Sequence, residues 1–269
     1  METIAAVENQ PRLRPGWRIP LTVVGMFAFV GAGIATSALL SLLPVPGPAV
    51  RIATLTAMAA AAIGVVYCLR RFVDRRPWRD LGLTWRPADV LPLLLGGALA
   101  ALVVLTAHLG AIALGLSDWR PTFEDGLPLI PGLLLGYLMI LLGQAFPEEL
   151  LWRGYLLTSL SADWRRWAAV GATALGFGAM HVISNPGTDA SLGWRLLYAV
   201  MACGLGFAAA SCRLRGGTIW LAVGFHAGHN LTGKVLNTGA YDWSLLVSFA
   251  VFLGFGLVML RTAPRRSPG

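Results

Sequence analysis

The chain has 269 residues, 56% of them hydrophobic and 13% charged, with a mean hydropathy of +0.67 and a net charge of +8. Soluble domains carry about 25% charged residues, so the composition excludes an ordinary soluble globular enzyme, and its apolar content excludes a disordered chain. What is left is an all-α polytopic membrane protein, because several apolar runs reach the ~20 residues that cross a bilayer as a helix.

Residues 1–19 are polar and hold Arg12, Arg14 and Arg18. The apolar run at 20–43 is longer than the ~7–15-residue core of a cleavable signal peptide. It reads as a retained first span, broken by the Pro-Val-Pro-Gly-Pro stretch at 44–48. Further runs at roughly 49–69, 90–116, 127–158, 166–183, 192–212, 217–236 and 243–260 predict about eight transmembrane helices. No repeat or linker divides them, so residues 1–269 read as a single membrane domain.

Twenty of the twenty-one basic residues are arginines, clustered between apolar runs. Threaded through eight spans, seventeen of them fall on the side of the N-terminus and only Arg51, Arg120, Arg195 and Lys234 on the other. That bias marks the cytoplasmic side. It predicts cytoplasmic tails at 1–19 and 261–269, and it explains the positive charge without a nucleic-acid partner. The stretch 70–89, with Trp78 and Trp85 among arginines, reads either as an amphipathic segment on the inner leaflet or as a solvated loop. Cys68, Cys203 and Cys212 form no CxxC pair and read as packing residues.

An ionisable residue inside a span costs about 2.5–3.5 kcal/mol on insertion scales, so each one calls for a reason. The fourth run holds Glu148 and Glu149 side by side, just after Pro147, with Arg153 following. Glu149 and Arg153 are four apart and meet on one helix face. Glu148, about 100° away around the helix, points elsewhere. Phe177 and His181 end the fifth run one turn apart, and the seventh run holds His226, His229 and Asn230. His108 stands alone in the third run and reads as packing or interhelical hydrogen bonding.

Glu148 and His181 are equidistant from the connection at 161–167, which places them at similar depth in a helical hairpin. His226 lies roughly 15 Å beyond the 213–217 connection, near the midplane of a ~30 Å hydrocarbon core. His181 would then sit deeper than His226, so the groups meet only with a tilt, a helix break or a thinned membrane.

The set Glu148-Glu149-x-x-x-Arg153, Phe177-x-x-x-His181 and His226-x-x-x-Asn230 resembles the CPBP family. This family comprises the type II CAAX-prenyl endopeptidases and the bacteriocin-processing, Abi-type membrane proteases. The resemblance covers a catalytic core at about 127–236 and implies an intramembrane endopeptidase acting on a membrane-associated protein or peptide. It implies that Glu148 and His181 hold and activate a water, that His226 and Asn230 stabilise the oxyanion, and that Glu149, Arg153 and Phe177 support the site. His229 is an addition to the pattern.

The preferred mechanism uses no metal or other cofactor. The alternative is a zinc enzyme with Glu148, His181 and His226 as a His₂Glu ligand set, although no HExxH helix is present. Two readings from other classes compete with a protease. A proton-coupled carrier would also bury acids and histidines, but the chain shows no repeated halves. A non-catalytic immunity or scaffold protein would act by binding alone. The expected partners are a protein or peptide substrate and the lipid bilayer, and the Arg- and Ala-rich composition points to a bacterial cell membrane.

Overall fold

The computed structural model describes residues 14–119, 129–183, 190–236 and 243–264. Arg12, Arg120, Arg265 and Arg266, and most of the tails expected at 1–19 and 261–269, lie outside these residues. The described residues form eight helices and no strand. They are α1 (Arg18–Ser41), α2 (Gly47–Cys68), α3 (Val90–Ala113), α4, α5 (Arg166–Met180), α6 (Leu192–Gly216), α7 (Trp220–Val235) and α8 (Ser244–Thr262). The helix α4 is composite: α-helical at Leu129–Ile140, π-helical at Leu141–Ala145, α-helical at Phe146–Glu149, π-helical at Leu150–Leu156 and α-helical at Leu157–Leu160.

Six of the eight are long and apolar enough to cross a bilayer. Their outward faces carry Phe27, Ile34, Leu91, Leu102, Leu134 and Val258, all exposed. Such a belt is unfavourable in water and suited to lipid, so the chain is an integral membrane protein. The other two helices are shorter than the apolar runs predict. At 15 and 16 residues, α5 and α7 are about 22–24 Å long, less than the ~30 Å hydrocarbon thickness. The helix α5 stops at Met180 and leaves His181 as its C-cap.

The helices nearest the centre are the second half of α4 and the first half of α7. Residues 147–160 are all buried, as are 220–228. Lipid tails are as apolar as leucine, so helices associate in a membrane through close van der Waals packing, which favours small residues. The contact between α3 and α7 follows that rule. A Cβ on Gly224 would run into the Leu93 carbonyl, one on Gly96 into the Leu221 carbonyl, and one on Gly228 would lie 2.6 Å from Gly97 Cα. Backbone therefore meets backbone on both sides of His226, which fixes its depth and direction.

One end of the bundle is closed by buried charges rather than apolar packing. Arg18, at the start of α1, donates to Asp74 (2.9 Å), to Asp163 (2.6 Å) and to the Ser159 carbonyl (3.0 Å). Ser159 donates to the other Asp74 oxygen (2.7 Å), and Arg70 reaches Asp80 (3.0 Å) and the Pro77 carbonyl (2.6 Å). The 70–89 stretch is thus neither a free loop nor a segment lying wholly on the membrane. Arg70, Asp74 and Leu81 are buried in the protein, while Phe72 and Trp85 face outward. Sequence periodicity missed this because the partners lie far apart in the chain. All three cysteines are free; Cys212 is buried, Cys203 half-buried and Cys68 exposed on α2.

Gly224→Leu would force α7 off α3. It is expected to lower the detergent-solubilised Tm well below that of Gly64→Leu, whose Cβ meets nothing within 4 Å; equal melting of the two variants would refute the backbone contact.

Candidate active site

Pro147 lacks an N–H, and in a regular α-helix its ring would press on the carbonyl four residues back. The π turn at Leu141–Ala145 opens the helix at that point, and a second π turn begins directly after Glu149. Single π turns inside α-helices occur frequently at functional sites. Here they bracket the two glutamates, both of which are buried.

Glu149 and Arg153 form the expected pair, Nη1 to Oε1 at 2.8 Å, with neither side chain exposed. The same Oε1 also accepts from Nδ1 of His226 at 2.9 Å, a contact the spacing of residues did not foretell. Arg153 continues to the Gly206 carbonyl on α6 at 3.0 Å, and its guanidinium lies 4.5 Å above the Phe177 ring. Gly206 permits this approach, since a Cβ there would stand 3.2 Å from the Phe177 ring and 3.3 Å from Arg153 Nη2. Phe177 is the aromatic centre of the group, with ring centroids 4.5 Å from His181 and 5.8 Å from His226.

These contacts decide the histidine tautomers. A carbonyl only accepts, so His181 Nδ1 donates to the Phe177 carbonyl at 2.7 Å, leaving Nε2 of the neutral ring as an acceptor. A carboxylate also only accepts, so His226 Nδ1 carries the proton toward Glu149. Neutral His226 then presents an acceptor at Nε2. It can donate there only as the doubly protonated ring, whose charge would lie against Glu149.

Glu148 behaves differently from its neighbour. The Oε2 of each glutamate is buried with no hydrogen-bond partner, but among the described residues Glu148 has no ion pair like those of Glu149, and its charge acts on both His181 and Tyr198. Asn230 Nδ2 is likewise buried and unpartnered. The structure therefore brings Glu149, Arg153, Phe177, His181 and His226 into one chain of contacts and sets Glu148 electrostatically beside His181. The arrangement offers a carboxylate and an imidazole nitrogen able to accept protons, and an amide able to donate.

Sequence reasoning missed two aromatic residues on α6. Tyr198 packs 5.7 Å from His181, and Trp194 stacks on Tyr198 at 5.1 Å. Their four-residue spacing was the available signal, but aromatic pairs at that spacing are common in any apolar helix. Two histidines stay apart from the group. His229 packs on Phe252 at 5.2 Å, and His108 lies 5.6 Å from Trp119.

For a zinc ion the ligands would be Glu148, His181 and His226. Among the described residues no three His, Cys, Asp or Glu side chains are grouped so as to hold a metal ion.

No curated protein gives a significant match to the chain. Residues 130–232 match the family model described as type II CAAX prenyl endopeptidase Rce1-like. That match contains every residue of the group from Glu148 to Asn230 and leaves α1 to α3 and α8 outside it. Through this segment, the chain is similar to the Rce1-like type II CAAX prenyl endopeptidases.

Proposed function

We propose that the protein is an intramembrane endopeptidase that hydrolyses a peptide bond of a membrane-associated protein or peptide with a water activated by Glu148 and His181. The observation that carries this reading is the division of labour between adjacent glutamates. Glu149 is held at Oε1 by Arg153 and His226, whereas among the described residues no ion pair holds Glu148, whose Oε2, like that of Glu149, is buried without a partner. A buried polar atom of that kind calls for a ligand or a water.

The chemistry follows from the donors and acceptors. A water held by Glu148 and Nε2 of His181 gives its two hydrogens to two acceptors, which turns an oxygen lone pair toward a carbonyl carbon. As the oxygen adds, its proton passes to this pair, which returns it to the leaving amine. The Asn230 amide supplies a hydrogen bond to the oxyanion in a site that excludes bulk water. His226 joins it as a donor in its doubly protonated form, held in place by Glu149. Arg153 and Phe177 position Glu149 and His181. We place both termini on the cytoplasmic side on the strength of the arginine bias, and the protein in a bacterial cell membrane on that of its Arg- and Ala-rich composition.

Three measurements test the reading. In liposomes, with cleavage of an accumulating membrane precursor as readout, Glu148→Gln is expected to abolish turnover while leaving Tm near wild type. Glu149→Gln should lower both turnover and Tm, because Arg153 loses its charged partner. Wild-type cleavage by Glu148→Gln would refute the assignment. Asn230→Ala should reduce kcat by about 10²–10³-fold with little change in KM; a pure KM effect would move Asn230 from oxyanion binding to substrate binding. Finally, protein dialysed against a strong chelator should keep its full rate. Loss of activity restored by zinc alone would replace the metal-free mechanism with the His₂Glu one.

A further inference from the structure

Apart from the proposed catalytic group, a half-open cavity of about 160 Å³ lies between α3, α6, α7 and α8. It occupies the end of the bundle remote from the Arg18–Asp74 network. Its walls come from the last turns of α3 and α7 and the first turns of α8. A volume of this size holds several waters at about 30 Å³ each.

Its lining is unusual for the interior of a membrane protein. His108 is 9% exposed and Ser117 5%, yet His108 Nε2 and Ser117 Oγ find no hydrogen-bond partner. Nδ1 of His229, on the α7 wall, is also buried and unpartnered. Ser244 and Ser248 face the same space from α8. Three orphaned polar atoms around one roomy cavity match what ordered water satisfies, whereas cavities that stay dry are apolar.

The cavity borders the helices that carry the chemistry. His229 stands on the turn of α7 that also holds His226 and Asn230. Met201, on the α6 wall, follows by one turn Tyr198, which packs on His181. Each peptide bond cleaved takes up one water: its oxygen bonds to the acyl carbon as the carbon–nitrogen bond breaks, and a proton goes to the amine. A site enclosed by lipid needs a source for that water.

We propose that this cavity is a hydrated chamber, organised by His108, Ser117 and His229, that supplies the attacking water to Glu148 and His181 from the end of the bundle remote from the arginine network. The supply role rests on the hydrolytic reading above; the hydration itself does not.

Radiolytic hydroxyl-radical labelling of the full chain in lipid nanodiscs tests both parts. Met201 and Phe252 line the chamber at 4% and 1% exposure, whereas Met26 and Phe29 are equally buried in α1, at 8% and 1%, away from it. A hydrated chamber should label the first pair at least about fivefold faster than the second, since oxidation follows access to the oxidant. Ser248→Leu, which fills the space, should bring Met201 down to the rate of Met26 and reduce kcat severalfold at constant KM. Leu246→Phe, on the outward face of the same helix, should change neither. Labelling of Met201 no faster than Met26 would show a dry cavity and overturn the proposal. A Ser248→Leu protein with a closed chamber and wild-type kcat would overturn the supply role. Absence of cleavage by the wild type would overturn the hydrolytic reading, and labelling would still decide the hydration.

Discussion

One carboxylate oxygen holds the site together. Oε1 of Glu149 accepts from Arg153 on its own helix and from His226 on α7. Arg153 extends the link to the α6 backbone and to the face of Phe177 on α5. Four helices thus converge on a single buried charge. Removing one partner from such a pair costs about 3–5 kcal/mol, because the other charge is left uncompensated in a low dielectric. The same contacts fix which nitrogen of each histidine is protonated, so the geometry of the ion pair sets the chemistry available next to it.

That arrangement depends on close approach elsewhere. His226 faces Glu149 because α7 is seated against α3 with no side chains between Gly224, Gly228, Gly96 and Gly97. A larger residue at these positions would move the imidazole by more than the tolerance of a 2.9 Å hydrogen bond. At the other end of the bundle, Arg18, Arg70, Asp74 and Ser159 join α1, the segment that follows α2, and α4 by polar contacts. Close packing governs the contact between α3 and α7, and charge pairing governs the glutamate group and one end of the bundle.

Much of this was legible in the sequence, for physical reasons that can be named. The spans follow from run length, and the Glu149–Arg153 pair follows from helical spacing within four residues. Phe177 and His181 were likewise within one turn of each other. What periodicity could not supply were contacts between helices: Glu149 to His226, Arg153 to Gly206, Arg18 to Asp74, and Tyr198 beside His181. Helix length was also overread. The apolar runs at 166–183 and 217–236 extend past the ends of α5 and α7, because hydropathy does not register where backbone hydrogen bonding stops. His229 stood out in the sequence as an extra residue, and its place became clear only when the cavity beside it was seen.

The two π turns of α4 give the glutamates a property that composition hides. A helix closing its hydrogen bonds at five residues rather than four takes in extra residues per turn. The stripe of α4 that faces its neighbours before Leu141 is therefore rotated relative to the stripe after Leu156. The glutamates sit at a phase joint between two helical registers. A one-residue deletion on either side would leave the sequence motif intact while turning Glu148 and Glu149 by about 100° relative to one half of their own helix. In this protein the spacing between the motif and its flanks is as much a part of the site as the motif itself.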